Sequence, residues 1–499
     1  MKKPVIIETK SGKIQGYKED VLEIFKGIPY AEPPIGDLRF CPPVLKKSWD
    51  GVLDAMEYGP CAFQGYTPLE EYIGKIGPES EDCLTLNIWT PAIDNGKRPV
   101  MFWIHGGSFL TGGSMSPIFD GSALTRRGDI VVVTINYRLG ALGYLYIPDV
   151  TANVGQLDQI LALEWVHENI ELFGGDPANI TIFGESAGGL AVVTLPAMPA
   201  AKGLFHRIIT QSAPVIVPKV IKNPTRDLMR MLGIQRGDLD ALREIPPEKI
   251  IDAQNKLFAQ DSTNLTAFRP LIDGESLPLH PLKVFQNGDC KNLELMIGTN
   301  LDEAKLFTAF NPKLSKISDI DGEKLLIGYF SIRGIDTNKV KEIIDVYRKA
   351  REGKSSIEPK EIMNALITDY LFSLPTKRLL EAQGKHQPNT YNYLFTWPSP
   401  ALNGILGAFH GLELSFVFNS LDAFRMTGLV SKNPETEAIS EKIMDAWIAF
   451  ARTGNPNHDG IPKWPSYDIE KRSTMIIDKE FNVIEAFHDK ELTAWDGII

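Results

Sequence analysis

The chain has 499 residues, of which 43% are hydrophobic and 23% are charged, and its formal net charge is -11 at pH 7. These ordinary globular values exclude a disordered chain, a collagen-like chain and a small disulfide scaffold. The acidic balance argues against nucleic-acid binding, which needs a clustered basic face. Because the sequence has no apolar run of about 18 residues and no signal-peptide pattern, we expect a cytoplasmic protein without membrane contact.

Four cysteines occur, and neither their spacing nor their neighbours predict a metal site. Cys41, Cys61, Cys83 and Cys290 form no C-x-x-C pair, and no histidine lies near them at ligand spacing. In a cytoplasmic chain of this length we expect reduced thiols. These cysteines therefore predict no metal site.

The first strands are predicted in the turn-rich N-terminal part of the chain, at residues 4–8 and 12–17. Two nearly unbroken apolar runs follow, at residues 98–105 and 129–136. Continuous apolar runs rich in β-branched residues are typical of strands buried on both faces of a parallel sheet.

Helices and strands alternate further along the chain. The spacing of apolar residues predicts a helix over 153–173, ended by two glycines, and a buried strand over 180–183. A short strand is expected at 294–298 and an amphipathic helix at 437–452. This alternation predicts an α/β fold with a large, mixed, mostly parallel central sheet flanked by helices. We expect one domain over residues 1–499, with a helical insertion around 310–385.

The most specific motif is Gly184-Glu185-Ser186-Ala187-Gly188, directly after a predicted strand. It matches G-x-S-x-G, in which a serine projects from a tight strand-to-helix turn. The same five letters also occur in ordinary glycine turns, but the preceding strand and the following small residues favour a nucleophile. A serine hydroxyl needs a neighbouring base and a group that orients that base.

A second glycine motif, His105-Gly106-Gly107, follows the buried run at 98–105. Without Cβ atoms, the N–H groups of Gly106 and Gly107 can approach a substrate closely. Together with the N–H of Ala187 they could stabilise the oxyanion that forms when a serine attacks a carbonyl. We expect His105 to brace this loop.

Further motifs extend nearly from end to end: FKGIPYA at 25–31, PIGDLRF at 34–40, SEDCLTLNIW at 80–89, NYR at 136–138, FGGDP at 173–177, FARTGNPN at 450–457 and WPSY at 464–467. In this order the motifs resemble the type B carboxylesterases. That group of α/β-hydrolases includes bacterial p-nitrobenzyl-type esterases, animal carboxylesterases and cholinesterases. The resemblance implies an α/β-hydrolase fold.

The resemblance also implies a catalytic triad of Ser186 as nucleophile, Glu303 as acid and His410 as base. Glu303 ends the motif GTNLDE at 298–303, and His410 begins HGLELSFVF at 410–418. The order Ser, acid, His along the chain is the one used by α/β-hydrolases. Ser212 matches a family serine that supports the acid, and Gly106, Gly107 and Ala187 match the oxyanion hole.

The function implied is that of a serine carboxylesterase that acts on short- to medium-chain or small aromatic esters through an acyl-serine, without a metal or cofactor. We expect a monomer or small homo-oligomer. One alternative is a triacylglycerol lipase, which needs an apolar lid. Another is a non-catalytic adhesion protein, which typically lacks the nucleophile. Cholinesterases carry a tryptophan that binds choline shortly before the cysteine that corresponds to Cys83, whereas residues 65–82 contain no tryptophan. The comparison with that part of the family argues against a quaternary-ammonium substrate.

Two expectations remain open from the sequence. Animal relatives carry a disulfide near this N-terminal region, so a bridge between Cys61 and Cys83 is conceivable, although Cys61 lies slightly off the usual place. A histidine base with its ordinary pKa predicts activity that rises with pH through a midpoint of about 6–7.

Overall fold

The computed structural model describes residues 2–498 except 66–75, 149, 216–223, 236, 261–267, 310, 312–313, 315–316 and 424–427. Within these residues the strands form one 13-stranded sheet. The strands are β1 (Lys3–Glu8), β2 (Lys13–Glu19), β3 (Leu22–Pro29), β4 (Val52–Asp54), β5 (Thr85–Thr90), β6 (Arg98–Ile104), β7 (Val131–Ile135), β8 (Gly175–Glu185), β9 (Arg207–Gln211), β10 (Glu294–Asn300), β11 (Thr390–Phe395), β12 (Thr474–Ile477) and β13 (Asn482–Ile484).

The sheet is antiparallel at its two ends and parallel through its middle. Its order is β1-β2-β3-β5-β7-β6-β8-β9-β10-β11-β12-β13, and β4 pairs with β2. From β7 to β12 every neighbouring pair is parallel. The carboxyl ends of these parallel strands therefore meet at one edge of the sheet, where open α/β sheets bind their ligands.

Helices connect and cover these strands. The α-helices are α1 (Ser122–Gly128), α2 (Gly140–Tyr144), α3 (Val154–Asn169), α4 (Ala187–Thr194), α5 (Thr225–Met231), α6 (Leu239–Arg243), α7 (Pro247–Gln260), α8 (Pro281–Asn287), α9 (Lys305–Thr308), α10 (Asp319–Ser331), α11 (Thr337–Arg351), α12 (Pro359–Thr368), α13 (Leu374–Gly384), α14 (Leu414–Val417), α15 (Pro434–Thr453) and α16 (Asp489–Thr493). A π-helical turn, Asp369–Ser373, joins α12 to α13.

The predicted fold class is confirmed. The apolar runs at 98–105 and 129–136 form β6 and β7, and the run at 180–183 is the buried centre of the longer β8. The run at 153–173 forms α3 and a following 3₁₀ turn. Sequence reasoning missed β5 and β9, which are as buried as the strands that it found.

Three hydrophobic clusters account for the core. Two of them include side chains from opposite faces of the sheet: alternate residues of β6, such as Phe102 and Trp103, belong to different clusters. The third lies among α10, α11, α12 and the C-terminal Trp495. Residues 310, 312–313 and 315–316 of the expected helical insertion lie outside the described residues.

Candidate active site

Ser186 occupies the turn between β8 and α4 and has a strained backbone. Its φ of 56° and ψ of -119° lie in a region that residues with a side chain rarely adopt. The flanking glycines allow this turn. A Cβ on Gly188 would lie 2.0 Å from the Ile104 carbonyl oxygen, and one on Gly184 would lie 2.6 Å from the backbone of Gly188. The motif therefore folds as the tight turn that its glycines predict.

The loop after β6 lies beside this turn. A Cβ added to Gly106 would lie 2.8 Å from the Glu185 carbonyl oxygen and 3.2 Å from the Cβ of Ser186, so Gly106 packs directly against this turn. The N–H groups of Gly106 and Gly107 donate to no acceptor in the described part of the chain. Ala187 is the first residue of α4, so its N–H lacks an intrahelical acceptor. Three backbone N–H groups for which the described residues provide no acceptor thus lie at or beside the Ser186 turn.

His105 braces this loop, as expected. It is 1% exposed, its ring stacks on Tyr137 at 4.6 Å between centroids, and its carbonyl accepts a hydrogen bond from the Tyr137 hydroxyl at 2.8 Å. Its Nδ1 lies 2.8 Å from the Gly106 carbonyl oxygen. Burial lowers the pKa of His105 to about 4, so it stays neutral at pH 7.

Glu303 lies in the turn after β10 and is completely buried. Two donors hold its Oε1: the Ser212 hydroxyl at 2.5 Å and the Asn300 N–H at 2.7 Å. Its Oε2 lies 2.6 Å from Nδ1 of His410. The structure therefore brings together Ser212, Glu303 and His410 as the resemblance implied.

Asp302 connects the acid turn to the segment that carries His410. Its backbone N–H donates to the Ala408 carbonyl at 2.9 Å, and its carboxylate accepts from the Ala408 N–H at 3.0 Å. Lys305 lies 3.0 Å from the same carboxylate. These contacts fix the separation between the two segments.

The second ring nitrogen of His410 faces a carboxyl group that sequence reasoning did not assign. Nε2 lies 3.1 Å from Oε1 of Glu185, the residue before Ser186. The described residues include no hydrogen bond between the Ser186 hydroxyl and His410. In ligand-free sites such bonds are often long and tighten only when substrate binds.

The carboxyl groups around His410 determine its charge. Burial alone would lower the pKa of His410, but Glu185 and Glu303 together outweigh burial and raise the pKa to about 9. Burial raises the pKa of Glu185 to about 8. Near neutral pH, the structure therefore favours a charged imidazole or a proton shared with Glu185.

A buried network of hydrogen bonds around Glu413 adjoins Glu303 and His410. Glu413, the fourth residue of the motif HGLELSFVF, accepts hydrogen bonds from Asn300 Nδ2 at 2.6 Å and from Gln211 Nε2 at 3.0 Å. Trp447 Nε1 in turn donates to Gln211 Oε1 at 3.2 Å. The signals for Glu185 and Glu413 were present as motif letters, but their contacts depend on how distant segments meet.

The thiols and acidic groups outside this site offer no metal centre. Cys61 and Cys83 form no disulfide, and the Cys61 thiol donates to the Pro78 carbonyl at 3.3 Å. No group of three His, Cys, Asp or Glu side chains in the described ranges has the geometry of a metal site. Every helix whose residues are described is too short or too polar to serve as a transmembrane span.

The chain resembles known proteins over nearly its whole length. The profile of the carboxylesterase family matches residues 3–495. The para-nitrobenzyl esterase of Bacillus subtilis is 36% identical over 488 residues, which are 96% of this chain and 96% of that protein. The phenmedipham hydrolase of Pseudarthrobacter oxydans is 36% identical over 490 residues and 95% of each chain.

Solved structures show the same architecture. A PNB esterase structure superposes with a TM-score of 0.87 at 35% sequence identity and covers 98% of this chain and 99% of its own. A match of this extent shows that the sheet and helices described above form an α/β-hydrolase fold.

Proposed function

Because the chain belongs to the carboxylesterase family and is a carboxylic ester hydrolase, we propose that it hydrolyses short- to medium-chain and small aromatic esters with Ser186, His410 and Glu303. The observation that carries this assignment is the 2.6 Å contact between Glu303 and Nδ1 of His410, at the same sheet edge as the strained Ser186. The name of the Bacillus relative makes p-nitrobenzyl esters the first substrates to test.

The first half of the reaction forms an acyl-enzyme. The Ser186 hydroxyl attacks the ester carbonyl while Nε2 of His410 takes its proton. Glu303 accepts from Nδ1, which leaves the lone pair of neutral His410 on Nε2 and stabilises the imidazolium that forms. As the tetrahedral species collapses, Nε2 returns the proton to the leaving alcohol. Water then attacks the acyl-serine while Nε2 takes its proton; as the bond to the Ser186 oxygen breaks, Nε2 returns the proton to that oxygen and the carboxylic acid leaves.

Backbone donors stabilise the negative charge that develops on the carbonyl oxygen. We assign this role to the N–H groups of Gly106, Gly107 and Ala187. It is supported by the contact between Gly106 and Ser186 and by the lack of other acceptors for the two glycines in the described residues. Donors fixed in the backbone need no reorganisation during the reaction.

Ser212 has a supporting role in this proposal. A buried carboxylate without donors is strongly disfavoured. The Ser212 hydroxyl and the Asn300 N–H both donate to Glu303 Oε1, which leaves Oε2 to hold His410.

The remaining assignments concern the context of the reaction. We propose that residues 1–499 act as one hydrolase domain in the cytoplasm, without a metal or cofactor, as a monomer or small homo-oligomer. The net charge of -11 supports a protein that binds neither nucleic acid nor an anionic membrane surface. Ser186, Glu303 and His410 lie at one edge of the sheet, which favours catalysis over a purely adhesive role.

The test combines a substrate series with covalent labelling. Initial rates are measured with p-nitrobenzyl and p-nitrophenyl esters of increasing acyl length, and an organophosphate is used to label the nucleophile. We expect hydrolysis of short-chain members and a single phosphoryl adduct, located at Ser186 by mass spectrometry. Ser212, another serine of the site, donates to Glu303 and provides the internal control. An adduct at Ser212, or hydrolysis that survives complete labelling, would contradict the assignment.

A further inference from the structure

One kinked helix contacts both the acid turn and His410. It comprises α12, the π-helical turn Asp369–Ser373 and α13, which follow one another without a break. Pro375 lies just after the π turn. In a regular α-helix its ring would clash with the Leu371 carbonyl, and its nitrogen could not donate to that group. The wider turn accommodates the proline, and π turns of this kind often occur at functional sites.

On one side this helix holds the acid turn. The N–H of Ala304, the residue after Glu303, donates to the Thr368 hydroxyl at 3.1 Å. One turn earlier, Asn364 accepts from the Thr308 hydroxyl at 2.7 Å. Both contacts are buried, so the position of the acid depends on the position of this helix.

The π turn also packs against the imidazole. The Phe372 ring lies 4.8 Å from the His410 ring between centroids and is 3% exposed. Because protein interiors are close-packed, a shift of Phe372 would either push the imidazole or leave space beside it. The contact between Nδ1 and Glu303 is 2.6 Å long and would respond to either change.

On its other side the π turn is held by a chain of buried hydrogen bonds. The Trp495 indole N–H donates to the Tyr347 hydroxyl at 2.9 Å, and this hydroxyl donates to Asp369 Oδ2 at 2.7 Å. Asp369 is 5% exposed, and Tyr347 and Trp495 are at most 1% exposed. Ser373 also donates to the Asp369 carboxyl group, which therefore ties both ends of the π turn together. Loss of the Tyr347 hydroxyl would remove one of these two donors and leave the buried Trp495 N–H without its acceptor, which is costly.

We propose that Asp369, held by Tyr347 and Trp495, is a positioning residue for His410, because it fixes the π turn that sets Phe372 against the imidazole. None of the three residues belongs to the proposed triad of Ser186, Glu303 and His410. The inference rests on the proposed role of His410 and extends it to the C-terminal end of the chain. It assigns the buried carboxyl of Asp369 a role in the reaction.

The test removes single groups from the chain of hydrogen bonds. Tyr347→Phe deletes only the hydroxyl, and Asp369→Ala deletes the acceptor. Since a misplacement of about 1 Å can cost roughly 100-fold in rate, we expect kcat to fall on the order of 10-fold in both variants, with little change in KM. Asp369→Asn keeps an oxygen acceptor for Tyr347, and its kcat should stay within about twofold to threefold of wild type, by the same reasoning.

Tyr329→Phe is the matched control. Tyr329 belongs to the same group of aromatic rings, with centroids 5.0 Å from Phe330 and 6.3 Å from Tyr370, but its hydroxyl is outside the chain of hydrogen bonds. Loss of this hydroxyl should leave kcat unchanged, although the melting temperature can change.

A second measurement does not depend on turnover. The pKa of His410 in the free enzyme is followed by NMR, and Tyr347→Phe should move it toward the ordinary value of histidine, because a displaced Phe372 admits water that screens the neighbouring carboxylates. This shift is measurable even if the protein hydrolyses none of the tested esters, so the two proposals can fail separately.

The proposal is overturned if Tyr347→Phe lowers the melting temperature but leaves both kcat and the pKa of His410 unchanged. It is also overturned if Asp369→Asn lowers kcat as much as Asp369→Ala does, since the charge of Asp369, and not its hydrogen bond with Tyr347, would then affect the rate. If Tyr347→Phe does not fold, Trp495→Phe takes its place. That variant removes one terminal bond and should change kcat and the pKa of His410 in the same direction by a smaller amount; no change would reject the proposal.

Discussion

The two halves of the candidate site are built in different ways. The nucleophile half is contiguous: residues 184–188 form a turn whose shape follows from glycines that have no space for a Cβ. The acid–base half combines segments that are distant in sequence, around Ser212, Glu303, Phe372 and His410. Replacing the central residue of the local turn should abolish activity, whereas replacing one contact of a site assembled from several segments should reduce activity only in part.

The largest expected effect is in the contiguous half. Ser186→Ala should reduce kcat by roughly 10⁴ to 10⁶, because it removes the hydroxyl on which the acyl intermediate is proposed to form. The exposed Ser331→Ala, at the end of α10, serves as the control and should retain full activity. Purified proteins are compared with a p-nitrophenyl ester under saturating conditions. A Ser186→Ala variant that kept a tenth of wild-type kcat would refute the nucleophile.

A smaller loss is expected in the assembled half. Ser212→Ala removes one of the two donors to Glu303 Oε1 and leaves the Asn300 N–H. Because a buried charge-assisted hydrogen bond contributes about 1.5–3 kcal/mol, we expect kcat to fall by roughly 10- to 100-fold. Steady-state kinetics check this, with circular dichroism to verify folding. A decrease in kcat as large as that of Ser186→Ala would show that losing one contact around Glu303 is enough to abolish activity.

Glu185 joins the two halves, and its effect should appear in the pH profile. The carboxyl groups near His410 raise its pKa above the ordinary value, and a histidine base must be neutral to act. We therefore expect kcat/KM to rise with pH through a midpoint above the 6–7 that an unperturbed imidazole predicts. Glu185→Gln removes the nearest charge on Nε2 and should lower this midpoint by roughly one pH unit.

The comparison variant is Glu413→Gln. Glu413 contributes less than Glu185 or Glu303 to the charge felt by His410, so its replacement should move the midpoint less. Equal shifts in the two variants would mean that the contact between Glu185 and Nε2 has no special role.

No effect is expected from removing metal ions. The site consists of a serine, a histidine, carboxyl groups and backbone N–H donors. We therefore expect EDTA to leave kcat/KM unchanged in dialysed enzyme. A loss of activity that added zinc restores would show that a metal takes part in the reaction. The serine turn and the acid–base segments would then not account for the whole site.

Much of the fold and half of the site could be predicted from the sequence because their causes are local. Apolar runs at 98–105 and 129–136 predict buried strands, since few other structures bury every residue of such a run. The glycines around Ser186 predict the tight turn by steric exclusion alone. Strand β9 was missed because its five residues include Arg207, Thr210 and Gln211, whose burial depends on neighbours in the sheet.

The acid and the base were named only through family motifs, since eight histidines and many acidic residues compete in the composition. Only the tertiary structure decides that Glu185 faces Nε2 of His410, that Glu413 lies behind it, and that a π turn packs against its ring. The physical reason is that hydrogen bonds and burial depend on distances between segments, and periodicity along one segment carries no information about them. The sequence by itself predicted many of the buried strands and the tight turn at Ser186; the charge and orientation of His410 were decided by packing.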